Sequence, residues 1–513
     1  MSVVDTTSAT PGSGFRLDAS WLFSRPLLLS CLVLLLAPLL QLRWGTIPDT
    51  SWLIHVGEAM LSGERLYIDL FETNPPFSVW LYLPAVTLAL RIGVAPELVV
   101  HVMVYCAAAV SVAFAGLIQH RSGLAEASAM RRLTPLVLAL LVLLPGNAFS
   151  EREHIGLILL LPLLALQIWR ASPELPKPPG SFMSVTAGLM GSVLFLVKPY
   201  FGLAILLPAL LAAWRGRSLR PLLAPEYWTI AGISVIYLAA VLTSHPEFLD
   251  RIYPMMVDVY APVRTYYGVL VPYGLMYAIL LVVLWKARPS GPVPASVAVP
   301  LLASLGSVVP VIIMAKGWPY HAYPAMTLAI IALATLVLAS RVARPLDTTW
   351  RWIAILVVIG CMSPLWPTHK PSSHIVETIR SSLERPSVTI ISNSLSKAFP
   401  LVRMIDGRWA SLHVCDWLGV SALLLSVEAT DRGDEAEAAR YRAIADDYID
   451  DKRAEFERAR PDIVIVSRDQ EYWTGYLRRF GGLDAMLAGY EFLVEDDEIR
   501  VLIRGDLLGA DAG

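Results

Sequence analysis

Long apolar segments, separated by short polar connections, fill most of the first 369 residues of the chain. The first of them, Trp21 to Leu40, is long enough to cross a bilayer and lacks the small-residue cleavage site of a secretion signal, so it predicts a retained helix. Ten further segments lie near residues 97–118, 133–147, 155–169, 183–197, 200–214, 226–244, 269–285, 296–315, 322–340 and 351–366. The pattern predicts a polytopic α-helical membrane protein with about eleven transmembrane helices within residues 21–369.

Arginine and lysine are concentrated in every second connection between these segments. The residues concerned are Arg121, Arg131, Arg132, Arg170, Lys177, Arg215, Arg217, Arg220, Lys286, Arg288, Arg341, Arg344 and Arg351. Because cytoplasmic loops carry an excess of Arg and Lys, we expect these connections on the cytoplasmic side, together with a disordered tail over residues 1–20. The other connections are then external: residues 151–154, 198–200, 245–268 and 316–323, and the chain after Trp366.

The apolar stretch Phe77 to Leu90 decides whether this orientation is consistent. If it crossed the membrane, an N-terminus inside the cell would put the Arg-rich connections outside. The stretch is short, contains Pro84 and ends at Arg91, which favours a helix lying in the external interface. We therefore expect one long external loop over residues 43–95.

Composition supports the membrane assignment and narrows the functional classes. Of the 513 residues, 56% are hydrophobic and 16% charged, which is too apolar for a soluble protein of this size. The formal net charge is -2 and no basic block stands apart from the membrane flanks, so nucleic acid is not an expected partner. Three of the 4 Cys lie in apolar segments, and neither a disulfide framework nor a zinc-binding spacing is recognisable.

From about residue 370 the pattern becomes that of a soluble domain. Short apolar runs at 388–392, 463–467 and 499–503 predict strands, and the charged segment 434–460 predicts a helix. This order indicates a small α/β domain, residues 370–513, outside the membrane. A structural cap and a partner-docking module are both compatible with it.

The external loop that follows the first helix carries the clearest candidate chemistry. It contains Pro48-Asp49-Thr50-Ser51-Trp52, then Gly63, Tyr67 and Asp69, then Glu72-Thr73-Asn74-Pro75-Pro76. An acidic segment broken by proline thus lies at the lip of a helical bundle, where a carboxylate points to function. Two interpretations of Asp49 stay open: a helix N-cap before Trp52, and a reactive carboxylate.

Together with a second external loop after the third helix, these features resemble the GT-C superfamily of membrane glycosyltransferases, in particular the branch of protein O-mannosyltransferases and lipid A aminoarabinose transferases. The resemblance covers residues 20–210 and extends over the rest of the bundle by topology only. There are two departures: Thr50 follows Asp49 where relatives often have Asp-Glu, and Glu151-Arg152-Glu153-His154 stands where they often have Leu-Asp-Pro. Whether Glu151 or Glu153 takes the second acidic position stays open.

The resemblance implies transfer of a sugar from a lipid phosphate, with inversion at the anomeric carbon. The departing phosphate is already an anion, so the expected needs are one base for the acceptor and cations for the phosphate, with no metal and no other cofactor. Asp49 is the expected base. The candidate phosphate-binding residues are Lys198, which matches a lysine of the family, Arg152, Arg251, Arg264, Lys316 and the uncharged Asn74. Contact with lipid headgroups is the alternative role of each cation.

A further group of residues is expected to contact the acceptor and the sugar: Glu72, Glu151, Glu153, His154, His55, Tyr266 and Tyr267. His55 and Glu58 follow Asp49 at helical spacing and are expected to line the acceptor entrance. The tyrosines lie in the loop 245–268, where aromatic rings either stack on sugars or belong to the interfacial belt. A metal-ligand role for His154 and His321 is disfavoured, because isolated histidines without Asp or Cys companions are usually structural.

The predicted function is therefore an inverting glycosyltransferase of the bacterial inner membrane, with a cytoplasmic N-terminus and a periplasmic C-terminal domain. Surrounded by membrane lipid, it would take a sugar from a polyprenyl-phosphate carrier and pass it to an envelope glycan, lipid or protein. A lipid or sugar transporter (flippase), a non-catalytic envelope assembly partner, and a ligase that moves a whole oligosaccharide stay open as alternatives.

Overall fold

The computed structural model describes residues 26–124, 131–172, 177–339, 346–362 and 370–508. The predicted tail 1–20 and the predicted cytoplasmic residues Arg341 and Arg344 lie outside these ranges. Within them, the N-terminal part of the chain is a helical bundle and the C-terminal part is built around a β-sheet.

Most helices of the bundle follow the predicted apolar segments. The helices are α1 (Pro26–Trp44), α2 (Pro48–Leu61), α3 (Leu83–Ile92), α4 (Pro96–Ser122), α5 (Thr134–Leu138), α6 (Arg152–Arg170), α7 (Ser181–Val197), α8 (Gly202–Arg215), α9 (Pro225–Ser244), α10 (Leu275–Ala287), α11 (Ala295–Met314), α12 (Pro319–Ala334) and α13 (Thr348–Met362). Of these, α2 and α3 lie within the predicted loop 43–95. Helices α2, α4, α9 and α12 each begin with a proline, whose fixed φ and missing N–H suit the first turn.

Seven helices in the described part of the chain are long and apolar enough to cross a membrane. They are α1, α4, α6, α9, the continuous run Tyr266–Ala287 that contains α10, α11, and Pro319–Val337, which extends α12. Shorter apolar helices fall on the remaining predicted spans, at Thr134–Leu143, Ser181–Val197, Pro199–Arg215 and Thr348–Met362. The predicted polytopic helical class is thus confirmed, with seven helices of spanning length.

The apolar stretch 77–92 forms a one-turn helix, Phe77–Trp80, followed by α3. Arg403 of the C-terminal part joins the helices on either side of this stretch. Its guanidinium donates to Glu58, near the end of α2, and to Glu97, at the start of α4. The end of α2 and the start of α4 therefore lie at the same guanidinium. That the stretch does not cross the membrane stays a prediction.

Helix α6 is the most enclosed of the spanning helices, with nearly all of its side chains buried. Around it, neighbouring helices approach closely where glycines leave room. A Cβ added at Gly306 of α11 would lie 2.4 Å from the carbonyl carbon of Leu203 in α8, and one at Gly188 of α7 would lie 2.6 Å from the carbonyl oxygen of Glu226. Backbone lies against backbone at these points, so no flexible side chain can yield.

Gly306→Ala is expected to destabilise the protein by about 1–3 kcal/mol, because the added Cβ meets the backbone of α8. Gly232→Ala in α9 is the matched control: no atom lies within 4 Å of its added Cβ, so the better helix propensity of Ala should leave stability unchanged or slightly higher. Thermal unfolding of both variants in one detergent, followed by intrinsic fluorescence, compares them. Equal Tm values would contradict the close packing of α8 on α11.

The C-terminal part contains a five-stranded sheet in the order β2-β1-β3-β5-β4. Its strands are β1 (Ser387–Ile391), β2 (Arg408–Trp409), β3 (Ile463–Ser467), β4 (Tyr490–Glu495) and β5 (Ile499–Arg504). Strand β1 is parallel to β2 and β3, whereas β5 is antiparallel to β3 and β4. β1, β3 and β5 lie where the apolar runs predict strands, and the edge strands β2 and β4 were not predicted.

Six helices accompany the sheet. They are α14 (Ser373–Ser382), α15 (Leu401–Met404), α16 (Trp417–Asp431), α17 (Glu435–Ala459), α18 (Glu471–Phe480) and α19 (Leu483–Met486). Helix α17 coincides with the predicted charged helix. Asp434 caps it by accepting a 3.0 Å hydrogen bond from the backbone N–H of Glu437.

The sheet domain is seated on two loops of the bundle. Besides the bridge from Arg403, the backbone N–H of Phe71 donates to the carbonyl of Leu412 over 3.0 Å. Arg440 of α17 makes a two-point ion pair with Asp258, at 2.6 and 3.0 Å. The domain therefore contacts both the loop 43–95 and the loop 245–268, which contain many of the predicted site residues.

Candidate functional site

Asp49 lies in the first turn of α2. The residue that caps this helix is Ile47, and no side chain bonds the free N–H groups of the first turn, so the N-cap interpretation of Asp49 is wrong. The Asp49 carboxylate instead accepts a 3.2 Å hydrogen bond from Nη2 of Arg152, and 29% of its side chain is exposed. The dipole of α2 also favours a negative charge in this turn.

The loop before α6 is fixed against α2 by hydrogen bonds to Ser150. Its carbonyl accepts from the hydroxyl of Thr50 at 3.1 Å and from that of Tyr82 at 2.7 Å. Its own hydroxyl donates to Thr50 Oγ1 at 3.2 Å. Because Thr50 directly follows Asp49, and Arg152 begins α6 two residues after Ser150, these bonds hold the acid and the guanidinium side by side.

A second ion pair lies next to the first. Lys198, between α7 and α8, donates to Glu153 Oε1, and its Nζ is 3.0 Å from Nε2 of His321 in α12. The Glu153 side chain is fully buried and that of Lys198 is 8% exposed. The structure thus brings together five charged or polar residues from four segments of the chain, which we call the rim cluster: Asp49, Arg152, Glu153, Lys198 and His321.

The surroundings change the acid strength of the carboxyl groups at this point. Burial raises the pKa of Asp49 above its ordinary value, with Glu153 and Glu72 acting in the same direction, against the opposing charge of Arg152. Burial likewise raises the pKa of Glu151 well above its ordinary value, and the nearby Asp49 adds to the effect. Asp49 is therefore a stronger base than a free aspartate, which suits removal of a proton from an acceptor.

Several polar atoms of the rim cluster and of its neighbour Glu151 are buried without a hydrogen-bond partner among the described residues. They are Oε2 of Glu151, Nε and Nη1 of Arg152, and Oε2 of Glu153. Buried polar groups normally find partners, so these atoms are spare donors and acceptors for water or a ligand. Both glutamates of the Glu-Arg-Glu segment thus lie at the site, Glu151 near Asp49 and Glu153 on Lys198.

Lys316 approaches the cluster from the turn between α11 and α12. Its ammonium group lies over the ring of Tyr260, 3.9 Å from the centroid, and donates to the carbonyls of Tyr260, at 2.5 Å, and Val263. Burial and the charge of Arg264 lower the pKa of Lys316 to about 8. Tyr260 is close enough to the cluster for the charges of Lys198 and Asp49 to act on its pKa, which burial raises.

Arg264 completes a second group of cations. Its guanidinium is exposed and donates to the carbonyl of Ala261 at 3.3 Å and to the hydroxyl of Tyr266 at 2.8 Å. In the part of the chain that the structure describes, neither Arg264 nor Lys316 forms an ion pair with a carboxylate. Unlike Arg152 and Lys198, these two cations therefore retain an uncompensated positive charge for an anionic ligand.

Glu72 and Asn74 organise the first loop. Glu72 accepts from the indole N–H of Trp52 at 2.5 Å and from the backbone and side-chain N–H groups of Asn74 at 2.7 and 2.5 Å. Only 3% of Glu72 is exposed. The amide of Asn74 is therefore engaged by its neighbour, and the predicted phosphate contact of Asn74 gains no support from its geometry.

Three other predicted residues make no hydrogen bond or ring contact with the rim cluster in the part of the chain that the structure describes. His154 is fully buried, with Nδ1 accepting from the N–H of Ser150 at 3.0 Å and Nε2 2.6 Å from the carbonyl of Leu141, so its role is structural rather than acceptor-binding. His55 packs against Phe399, and burial followed by the charge of Arg403 lowers its pKa to about 4. Tyr267 is 85% exposed.

Sequence reasoning missed His321 as a partner of Lys198, and it missed Tyr260 as the support of Lys316. Both lie in segments noted for aromatic and basic residues, the stretch 316–321 and the loop 245–268. The contact between Lys198 and His321 was not visible from local pattern, because the two residues lie 123 positions apart in the sequence. Among the described residues, no group of three or more His, Cys, Asp or Glu side chains is arranged to hold a metal ion.

Of the comparisons with known proteins, the one with solved structures gives matches. No protein-family model matches the chain, and no curated protein matches it. Among solved structures, ArnT from Cupriavidus metallidurans in the apo state has a TM-score of 0.54 and 14% identity, over 95% of this chain and 99% of that one. The same protein bound to undecaprenyl phosphate has a TM-score of 0.51 and 12% identity, over 95% and 98%. At this identity the likeness concerns the fold alone. The predicted resemblance is therefore confirmed at the level of the fold.

Proposed function

We propose that the protein is an inverting glycosyltransferase that moves a sugar from a polyprenyl-phosphate carrier to a cell-envelope acceptor. The proposal rests on one observation: a base lies close both to cations that are paired with carboxylates and to a cation that is not. Asp49, whose pKa is raised, accepts a hydrogen bond from Arg152 and lies beside the ion pair of Lys198 and Glu153. Lys316 forms no ion pair with a carboxylate among the described residues and lies over the ring of Tyr260. The charges of Asp49 and Lys198 act on the pKa of the same Tyr260. The shared fold with ArnT, a structure of which was solved with undecaprenyl phosphate, supports a lipid-phosphate donor.

In this proposal the chain crosses the bacterial inner membrane eleven times, with the four shorter apolar helices completing the seven longer ones. Arg152 begins α6 and Arg170 ends it, which separates the two by roughly 27 Å at 1.5 Å per residue, close to the thickness of the hydrocarbon core. Arg170 belongs to the arginine-rich connections that favour the cytoplasm. The rim cluster and the C-terminal domain, residues 370–513, are then periplasmic.

The reaction follows from these positions. As the acceptor hydroxyl or amine attacks the anomeric carbon, Asp49 takes its proton and the new glycosidic bond forms with inversion. The bond between the anomeric carbon and the phosphate oxygen breaks, and its electron pair leaves with the phosphate. Lys316 and Arg264 neutralise the departing anion, while Arg152 orients Asp49. The step as written uses neither a metal ion nor another cofactor.

Binding of undecaprenyl phosphate tests the proposed donor site through the pH dependence of Lys316. A phosphate monoester is fully ionised above about pH 7, so between pH 8 and 10 the lysine is the group expected to titrate, since Tyr260 stays neutral with its raised pKa. Free Lys316 loses its proton above pH 8, near its pKa of about 8, and must regain it to bind the anion. We expect the affinity to fall by up to about tenfold per pH unit in this range.

Two variants separate this effect from general alkaline damage. Lys316→Arg keeps its charge throughout, so its affinity should stay level from pH 8 to 10. Lys316→Met should bind more weakly at pH 7 and show no fall. Microscale thermophoresis of the detergent-solubilised protein measures all three. An identical affinity and pH profile for the wild type and Lys316→Met would remove Lys316 from the donor site.

A further inference from the structure

A polar groove separates α2 from the C-terminal domain. It consists of two adjoining cavities of about 580 and 760 Å³ that share His55, Glu58 and Gly407. The larger cavity has the end of α2 and the following residues 62–70 on one side, and residues 407–412 with the end of α17 on the other. We call this feature the α2 groove.

The lining of the α2 groove combines an aromatic ring with planar charged groups. The indole Nε1 of Trp409 is buried and has no hydrogen-bond partner among the described residues. Glu64 and Glu455 supply carboxylates, and Arg408 and Arg458 supply guanidinium groups. An aromatic face flanked by hydrogen-bonding groups suits a sugar chain, whereas an acyl chain would leave the polar groups without partners.

His55 adds a neutral polar group to this lining. Because burial and the charge of Arg403 lower its pKa to about 4, its imidazole is uncharged at neutral pH and can both donate and accept a hydrogen bond. Arg403 itself is engaged by two carboxylates, Glu58 and Glu97, so its positive charge is not available to an anionic ligand. Because carboxylates, guanidinium groups and a neutral imidazole line the same groove, a hydroxyl-rich ligand suits it better than a strongly charged one.

The groove follows the helix that carries the proposed base. His55 is six residues after Asp49 on α2, which corresponds to about 9 Å along the helix axis. Trp52, three residues from each of them, is buried and packs against His55, with the ring centroids 5.6 Å apart. A long acceptor whose reacting group is at Asp49 needs to extend only this short distance along α2 to reach the groove.

We propose that the α2 groove binds the glycan portion of the acceptor, at sugars beyond the one that reacts at Asp49. The inference rests on the proposed transferase function and deepens it, because it selects a saccharide chain from among glycan, lipid and protein acceptors. Such a chain is either free or attached to a lipid, and its sugar chemistry is the same in both cases.

The test blocks the groove without touching the rim cluster. Ser62 is exposed on the groove wall at the end of α2, and Ser62→Trp fills the cavity. Leu61→Trp is the matched control, since Leu61 is the neighbouring exposed residue and lines neither cavity. The probes are the glycan released by mild acid from the envelope of the native host, and the same glycan still attached to its lipid, both measured by microscale thermophoresis in one detergent.

We expect Ser62→Trp to weaken glycan binding at least tenfold and Leu61→Trp to leave it unchanged, while both bind undecaprenyl phosphate as the wild type does. Binding of the released glycan identifies a free saccharide, and binding of the lipid-attached form alone identifies a glycolipid. Unchanged binding by Ser62→Trp, no glycan binding by the wild type, or loss of binding after protease treatment of the probe would overturn the inference. Failure of undecaprenyl phosphate to bind the wild type would instead contradict the proposed function.

Discussion

Asp49→Asn is expected to slow sugar transfer about 10²–10⁴-fold, the usual contribution of a positioned general base. The substitution keeps the shape of the side chain and an oxygen for the 3.2 Å hydrogen bond from Arg152, but removes the proton acceptor. Binding of undecaprenyl phosphate should stay within about twofold of the wild type, because the proposed phosphate ligands are Lys316 and Arg264. Mass spectrometry of the product, with donor lipids and envelope acceptor from the native host, measures the transfer.

Asp250→Asn is the control for this experiment. Asp250 lies in the loop 245–268, is exposed and lines neither cavity of the α2 groove, so its replacement should leave turnover within about twofold. The assembly-partner alternative predicts the reverse pattern, with Asp49 variants silent and changes within 370–508 disruptive. Full turnover by Asp49→Asn would remove this residue from the mechanism.

Lys198→Met is expected to have the largest effect on stability, a loss of about 3–5 kcal/mol. Removing the ammonium group leaves the fully buried carboxylate of Glu153 without its ion-pair partner. Burial by itself would lower the pKa of Lys198, but the interaction with Glu153 outweighs it and raises the pKa, so the lysine is charged in the wild type. Thermal unfolding in detergent should show the loss as a lower Tm.

The double variant Glu153→Gln with Lys198→Met separates stability from catalysis. Because it removes both buried charges, its Tm should recover most of the loss. Its turnover should stay below that of the wild type, because it lacks the charge of Glu153, which helps to raise the pKa of Asp49. A Tm for Lys198→Met equal to that of the wild type would contradict the buried ion pair.

The fold was largely accessible from local pattern, because membrane helices and buried strands have long apolar runs. The β1, β3 and β5 runs predicted strands, whereas the two-residue β2 and the edge strand β4, with Glu491 and Phe492 exposed, carry no such signal. That residues 77–92 do not cross the membrane stays a prediction. The bridge that joins Glu58 and Glu97 through Arg403 was not visible from local pattern, because Arg403 lies 345 residues from Glu58.

The candidate site was less accessible, because its geometry depends on contacts between distant helices. The sequence suggested Asp49, Arg152 and Lys198 individually, but the partners of Lys198 come from α6 and α12. Asn74 was considered for a phosphate because of its position, yet it bonds a carboxylate only two residues away. His154 shows the same limit: its burial between two backbone groups follows from packing rather than from spacing.

The central claim is that a lipid-phosphate headgroup reaches the end of the bundle where Asp49 lies. A cryo-EM structure of Asp49→Asn in nanodiscs with undecaprenyl phosphate tests it most directly. The account predicts phosphate density in contact with Lys316 or Arg264, on the same side of the bilayer as residue 49, with the tail between bundle helices. Phosphate density at the opposite end of α6, near Arg170, would contradict it.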